Sequence, residues 1–266
     1  MKSESRIHAR DYIARLASSG RYHFSSRDAQ DALNVSADAA KLALNRLAKQ
    51  GLVASPARGF YVIVPPEYQS LGCLPADQFI PALMKKLGQS YYMGLLSAAQ
   101  YHGAAHHRPQ EAQVMLAKSR RPIVAGAVRV AFIVRKQIAE VSVQPFNTPR
   151  GTVLVSTPEA TAVDLVGYSH HVGGLDQVAT VLGDLAEMLN PEKLVLAAQT
   201  APTPWAQRLG YLLEKVDAVE QAAPLKSYVH ARARQTVALV PTTSDEGAYR
   251  DDGWKLIVNA EVEAEF

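Results

Sequence analysis

Four polar side chains in the stretch SADAAKLALNRLAKQGLV, residues 36–53, have types and spacings that suit recognition of a nucleic acid: Lys41, Asn45, Arg46 and Lys49. An asparagine amide can pair bidentately with adenine, an arginine with guanine or a phosphate, and lysines at this spacing with phosphates or guanine. Ser36, Ala37 and Ala39 precede them and are small enough to let a backbone approach a groove closely. Arg58, a few residues on, offers one more cation. This is the chemistry of binding, not of bond breaking. A Lys/Asn/Arg stripe on a helix also fits an ordinary solvated face, so the surrounding elements must decide.

Other candidate groups carry less. The histidines cluster as His102, His106 and His107, and again as His170 and His171. His102 and His106 are four apart, but Gly103 and Pro109 disfavour a continuous helix, and no acid lies close enough in sequence to complete a metal site. Hydrogen-bonded or solvated loop histidines are the expectation, with no metal and no other cofactor. Glu159 and Asp164 do not share a helix face neatly. Ser156-x-x-Glu159 spells a capping box with Pro158 in the first turn, and a buried Asp164 holding an arginine or backbone group is preferred to an acid–base pair. Glycine-rich phosphate loops, a Gly-x-Ser-x-Gly elbow and His-Glu-x-x-His are all missing from the sequence. No catalytic residue is assigned and no enzyme is expected. Arg120-Arg121-Pro122 reads as a solvated basic turn.

The elements that must carry the stripe lie in the first 66 residues. ESRIHARDYIARLA places Ile7, Tyr12, Ile13 and Leu16 on one helical side before Gly20. The connection RYHF leads to SSRDAQDAL, a second helix that Ser25 or Ser26 can cap, with Asp28 in its first turn. Asn34-Val35 turns the chain. Ser36 caps the third helix, which presents Ala40, Ala43, Leu44 and Leu47 to a core and ends at Gly51. An extended run from Leu52, a Ser-Pro-Ala-Arg-Gly turn and the β-rich FYVIV form a hairpin with Arg58 near its tip, closed by Pro65-Pro66. Helix, helix, turn, helix, hairpin is the order of a winged helix-turn-helix, with the third helix as reader and the hairpin as wing.

Charge supports that assignment. Residues 1–64 hold ten Lys/Arg against five Asp/Glu, a net +5, while the remainder is −2. A basic unit on a near-neutral body suggests a polyanion for that unit alone. The 266 residues, 48% apolar and 20% charged, suffice for one large or two modest domains. With Cys73 the single cysteine, an internal disulfide is excluded. The charged start MKSESRIHARD does not read as a secretory signal, and no apolar run reaches the ~20 residues of a membrane helix. A soluble, cytoplasmic protein without membrane contact is expected.

After a connector, 67–88, with a short helix near PADQFIPALMKKLG, residues 89–266 read as a larger mixed α/β domain. A helix through Leu95, Leu96, Ala99 and His102 is followed by strands at AQVMLAK, AVRVAFIVRK, VSVQPF and GTVLVS. Helices follow at STPEATAVDLVGY, LDQVATVLGDLAEML, PEKLVLAAQT, PWAQRLGYLLEKV and PLKSYVHARARQ, then strands at TVALVP and WKLIVNAEVE. The fold class is α+β.

YYMGLLSAAQYHGAAHHRPQEAQV, with VSTPEATAVDLVGY downstream, resembles the AbiEi family, antitoxins of type IV toxin–antitoxin systems linked to phage abortive infection. The N-terminal unit ending in GFYVIV and the closing WKLIVNAEVE fit the same pattern. Family-like positions are Tyr92, Gly94, Leu95, Ala98, His102, Gly103, Pro158, Glu159, Ala160 and Asp164, several of which look like fold determinants. The resemblance implies repression of the protein's own operon through promoter inverted repeats. It also implies antagonism of a nucleotidyltransferase-like toxin without a stable complex, and a second domain that serves both. Reading an inverted repeat requires a dimer or two cooperatively placed monomers, and no coiled coil forces the former. A stand-alone winged-helix regulator and an antitoxin that grips its toxin directly remain the alternatives.

Overall fold

The computed structural model describes residues 7–104 and 110–265. The chain is a mixed α+β protein of two compact units, each discontinuous in sequence. The first comprises Met1–Tyr91, Gln110–Val134 and Pro145–Val153, the second Tyr92–Pro109, Arg135–Gln144 and Leu154–Phe266. In chain order the first unit opens with α1 (Ala9–Ser18), β1 (His23–Ser25), α2 (Ser26–Leu33), α3 (Ala37–Lys49), β2 (Val53–Ala57), β3 (Phe60–Ile63) and α4 (Ala76–Leu87). Next come β4 (Tyr91–Met93), α5 (Leu95–Tyr101), β5 (Ala112–Leu116), β6 (Ile123–Ala125), β7 (Val128–Val134), β8 (Val143–Thr148) and β9 (Gly151–Ser156). The remainder is α6 (Pro158–Gly167), α7 (Leu175–Leu185), α8 (Pro191–Gln199), α9 (Thr203–Lys215), α10 (Val219–Arg232), β10 (Val237–Ala238), β11 (Tyr249–Asp251) and β12 (Leu256–Val258). Among the described residues no helix is long and apolar enough to cross a membrane.

In the first unit, α1, α2 and α3 bury the apolar stripes their sequences spell. Tyr12, Ile13, Phe24, Ala29, Leu33, Leu44, Leu47, Val53 and Ile63 make one core. Phe24 stacks on Tyr61 at 5.5 Å and meets Tyr12 edge-on at 5.4 Å, arrangements that add to plain burial. RYHF is more than a connection. His23–Ser25 pairs antiparallel with β3, so the sheet order is β1-β3-β2. Three residues are too few for alternation to show in a sequence. Ser25, rather than Ser26, caps α2: its hydroxyl accepts from the Asp28 N–H at 3.0 Å, and the Asp28 carboxylate accepts from the Ser25 N–H at 2.9 Å. Asn34 ends α2 in the left-handed conformation.

The rest of the first unit packs beside this core. In the strand set β6-β7-β5, β5 and β7 run parallel and β6 antiparallel to β7. Arg150, from the turn between β8 and β9, lies over the Tyr22 ring at 4.0 Å and donates to Gln78 at 2.5 Å and Glu67 at 3.0 Å. A residue far along the chain thus ties the α1–β1 connection, through Tyr22, to Glu67 and to Gln78 in the first turn of α4.

In the second unit, α6 is buried all round: every residue from Glu159 to Val166 is inside, which is why it shows no polar face. Its N-cap is Thr157, whose hydroxyl accepts from Ala160. The Ser156–Glu159 capping box expected from the sequence does not form. Ser156 lies at the end of β9, with its hydroxyl 2.7 Å from that of Thr161. The Glu159 carboxylate instead accepts from the Asn190 backbone N–H, 3.2 Å away at the start of α8. α10 begins at Val219, five residues before the Pro224 that the sequence suggested as its start. In α9, Gly210 leaves room for the fully buried Trp254, whose ring would lie 2.0 Å from any Cβ there. The Trp254 indole N–H donates to Glu214 at 2.8 Å.

Candidate nucleic-acid interface

α3 turns its core stripe, Ala40, Leu44 and Leu47, inward. The opposite side is open, and Ser36, Lys41, Asn45, Arg46 and Lys49 are all exposed. Ser36 is engaged as the N-cap, its hydroxyl accepting from the Ala39 N–H at 3.3 Å. The other four make no side-chain hydrogen bond or ion pair among the described residues. Holding long polar chains free in water gains the fold nothing, whereas a partner surface finds them already on a rigid scaffold. The helix is anchored at its end by Arg10 of α1, whose guanidinium donates to Gln50 at 2.8 Å and 3.2 Å. Arg10 adds a cation to this side of the unit, and nothing in its own sequence neighbourhood signals that.

The β2–β3 hairpin turns at Arg58-Gly59, with Arg58 exposed and Gly59 at φ +67°, a conformation glycine takes without penalty. The turn is braced. Lys86 from the last turn of α4 donates to the Gly59 carbonyl at 2.5 Å and sits 5.9 Å from the Phe60 ring centre. His23 stacks on the other part of this surface, 6.0 Å from Phe60. Burial holds its imidazole below the usual range, helped by Arg21.

The second unit contains the opposite kind of polar group. Asp164 of α6 is almost fully inside and accepts from Arg135 at 2.9 Å and from the Tyr92 hydroxyl at 2.5 Å. The rest of the guanidinium donates to the Lys136 and Thr200 carbonyls, both at 2.9 Å, and lies 5.3 Å from the Trp205 ring centre. Burial pushes the Asp164 carboxyl up, while Arg135 and the phenol pull it back. Burial and the Asp164 charge push the Tyr92 phenol far up, so it remains a donor. The arginine expected beside Asp164 is therefore Arg135. Every group in this set is used internally, which makes it a structural tie and not an acid–base pair.

His102 faces the Ser156 carbonyl at 2.8 Å, and burial lowers its imidazole. His106 and His107 lie outside the described residues. Among the described residues no group of His, Cys, Asp or Glu comes together as a metal site. Cys73 is buried, which pushes its thiol up to about 12. Gly94 is the N-cap of α5, and the buried Leu95 that follows takes φ +53°, a conformation bulky residues rarely adopt. Gly103, just beyond that helix, takes φ +75°. The family-like positions around α5 thus set a helix start and stop.

Fold and surface together define a two-unit α+β protein with an exposed cationic helix on one unit and an internally satisfied core on the other. Residues 92–215 match the model of the AbiEi antitoxin C-terminal domain family. No curated protein sequence matches it significantly. Among solved structures it is similar in fold to the RV2827C protein from Mycobacterium tuberculosis, with a TM-score of 0.65 at 18% identity over 94% of this chain and 90% of the other. An antigenic nucleotidyltransferase-like protein from Paracoccidioides brasiliensis aligns over 57% of this chain and 90% of its own, at 9% identity and a TM-score of 0.39, too low to imply a common fold.

Proposed function

We propose that residues 1–66 are a winged helix-turn-helix that binds DNA, with α3 in the major groove, the β2–β3 hairpin as wing, and Ser36, Lys41, Asn45, Arg46, Lys49 and Arg58 making the contacts. Residues 67–88 connect it to an antitoxin part over 89–266. The protein represses its own toxin–antitoxin operon by binding promoter inverted repeats as a dimer or as two cooperating monomers. It antagonises a nucleotidyltransferase-like toxin of a type IV, phage-defence system without a stable complex. It does this in the cytoplasm without catalysis of its own.

The observation that carries the DNA reading is the exposed polar face of α3, unpartnered among the described residues, on the end of the chain that holds the net positive charge. The similarity of residues 92–215 to the AbiEi antitoxin C-terminal domain family supports the antitoxin reading. Fluorescence anisotropy with duplex from upstream of the gene, against a scrambled duplex and across a salt series, tests the first. Selective binding that weakens steeply with salt, as released counterions require, and that Asn45→Ala and Arg46→Ala reduce, is expected. Equal, weak binding to both duplexes overturns it. For the second, expression of the neighbouring toxin with and without this chain should show rescue of growth. Stoichiometric co-purification of the two would replace the no-complex reading with direct neutralisation.

A further inference from the structure

Leu42 is 58% exposed, on the same open side of α3 as the polar residues. At about 100° per residue, Lys41, Asn45 and Lys49 lie to one side of it and Arg46 to the other, so Leu42 is close to the centre of the outward arc. Asp38 closes that arc at the first turn, where the helix dipole favours an acid. The buried stripe of Ala40, Leu44 and Leu47 is on the far side. Alanine, lysine, glutamate and glutamine serve an exposed helical position about as well as leucine without placing an isobutyl group in water.

We infer that Leu42 is a specificity-determining residue that packs against the 5-methyl group of a thymine in the major groove. The thymine methyl is the apolar element of the major-groove code and the one a leucine can read. Cations flanking an apolar centre divide the work as duplex recognition requires. Lys41, Lys49 and Arg46 take the backbone or guanine, and the middle of the helix reaches the base edges. The net +5 of residues 1–64 is complementary to a duplex. This inference rests on the DNA-binding reading above and adds which base feature the centre of the helix reads.

The test uses the full-length protein and the operator half-site located by footprinting the upstream DNA. Each thymine of the half-site is replaced in turn by deoxyuridine, which removes only the methyl, and affinities of wild type, Leu42→Ala and Leu42→Met are measured by anisotropy. Wild type should lose about four-fold at one thymine position, the weight of one buried methyl-sized group. Leu42→Ala should bind the thymine duplex weaker by a similar factor and no longer distinguish thymine from uracil there, with an unchanged salt slope. Leu42→Met, still apolar, should retain the discrimination. Selective wild-type binding that is indifferent to every deoxyuridine replacement overturns the Leu42 assignment and leaves the repressor reading intact. So does a Leu42→Ala variant that keeps the full discrimination. Loss of sequence selectivity altogether overturns both.

Discussion

The outward face of α3 and the Tyr92–Arg135–Asp164 set use similar side chains in opposite ways. On α3, Lys41, Asn45, Arg46 and Lys49 stand in water with no internal partner among the described residues. In the second unit, Arg135 and Asp164 have side chains only 3% and 1% exposed and satisfy one another. A polar group in water has already met its hydrogen-bonding needs and is free to exchange water for a ligand. A polar group inside must find its partners within the fold, because an unpaired one there costs far more than the bond itself is worth. Residue type alone therefore does not mark a functional site. Substitutions on the first set should change binding and leave stability alone, and those on the second should do the reverse.

The largest expected effect is at Asp164. Asp164→Ala strands the Arg135 guanidinium in the interior and should lower unfolding free energy by about 3–5 kcal/mol, the cost of breaking a buried pair from one side. That is a large share of the ~5–15 kcal/mol a domain possesses. Urea denaturation followed by circular dichroism measures it, and a loss below about 1 kcal/mol would end the claim that the set is a structural tie. The double variant Arg135→Met/Asp164→Leu sharpens the point, since removing both charges should recover much of the loss.

On the other side of the comparison, Asn45→Ala and Arg46→Ala should each weaken operator binding by about 1–3 kcal/mol, the value of a bidentate base contact. Their unfolding midpoints should stay within about 0.5 kcal/mol of wild type, as for surface substitutions generally. Lys41→Ala, if its role is a phosphate contact, should reduce affinity on all sequences alike and lower the salt slope by about one. A variant that loses binding only because it melts would collapse the distinction between the two regions.

Between these extremes lies Tyr92→Phe. It removes one hydroxyl and leaves Asp164 with Arg135, so a loss of about 1.5–3 kcal/mol is expected, that of one buried hydrogen bond to a charged group. The measurement is the same denaturation curve. An unchanged curve would mean that the carboxylate is satisfied by Arg135 alone.

Legibility in the sequence followed the same divide. The exposed face of α3 was readable because a half-buried helix prints its environment at a period of 3.6, and its core residues fell where that period put them. The three-residue strands β1, β4, β6 and β11 escape a sequence reading because no period fits so short a run. Asp164 was readable as a buried acid in an apolar helix, but its partner Arg135 lies 29 residues earlier, and nothing local announces a tertiary ion pair. Arg150 is the same case, held by Tyr22, Gln78 and Glu67 from distant segments. At α6 the local signal misled. Ser156 and Glu159 have capping-box spacing, but the helix starts at Thr157, and Glu159 is drawn to Asn190 instead. Short-range rules see spacing, and tertiary structure decides which of two adjacent hydroxyls caps.

The smallest effect separates two surface serines in the first unit. Ser25 and Ser36 both cap helices, but Ser25 belongs to a reciprocal box whose acid is also tied to Arg21 at 2.6 Å, whereas Ser36 makes one bond of 3.3 Å. Ser25→Ala should cost about 1 kcal/mol and Ser36→Ala less, near the 0.5 kcal/mol end of the range for caps. The box also carries a pH signature. Although partial burial opposes it, the bonds from Ser25 and the charge of Arg21 hold the Asp28 carboxyl below its ordinary value. A carboxyl depressed in the folded state contributes stability that is fully present above its unfolded value of about 3.9 and is lost as pH falls through the folded one. Wild type should therefore lose part of its stability below about pH 4 that Asp28→Asn, lacking the titrating group, does not lose. If the two proteins respond identically to acid, the box is a solvent-screened surface contact, and Ser25 and Ser36 should then prove equal when each is replaced by alanine.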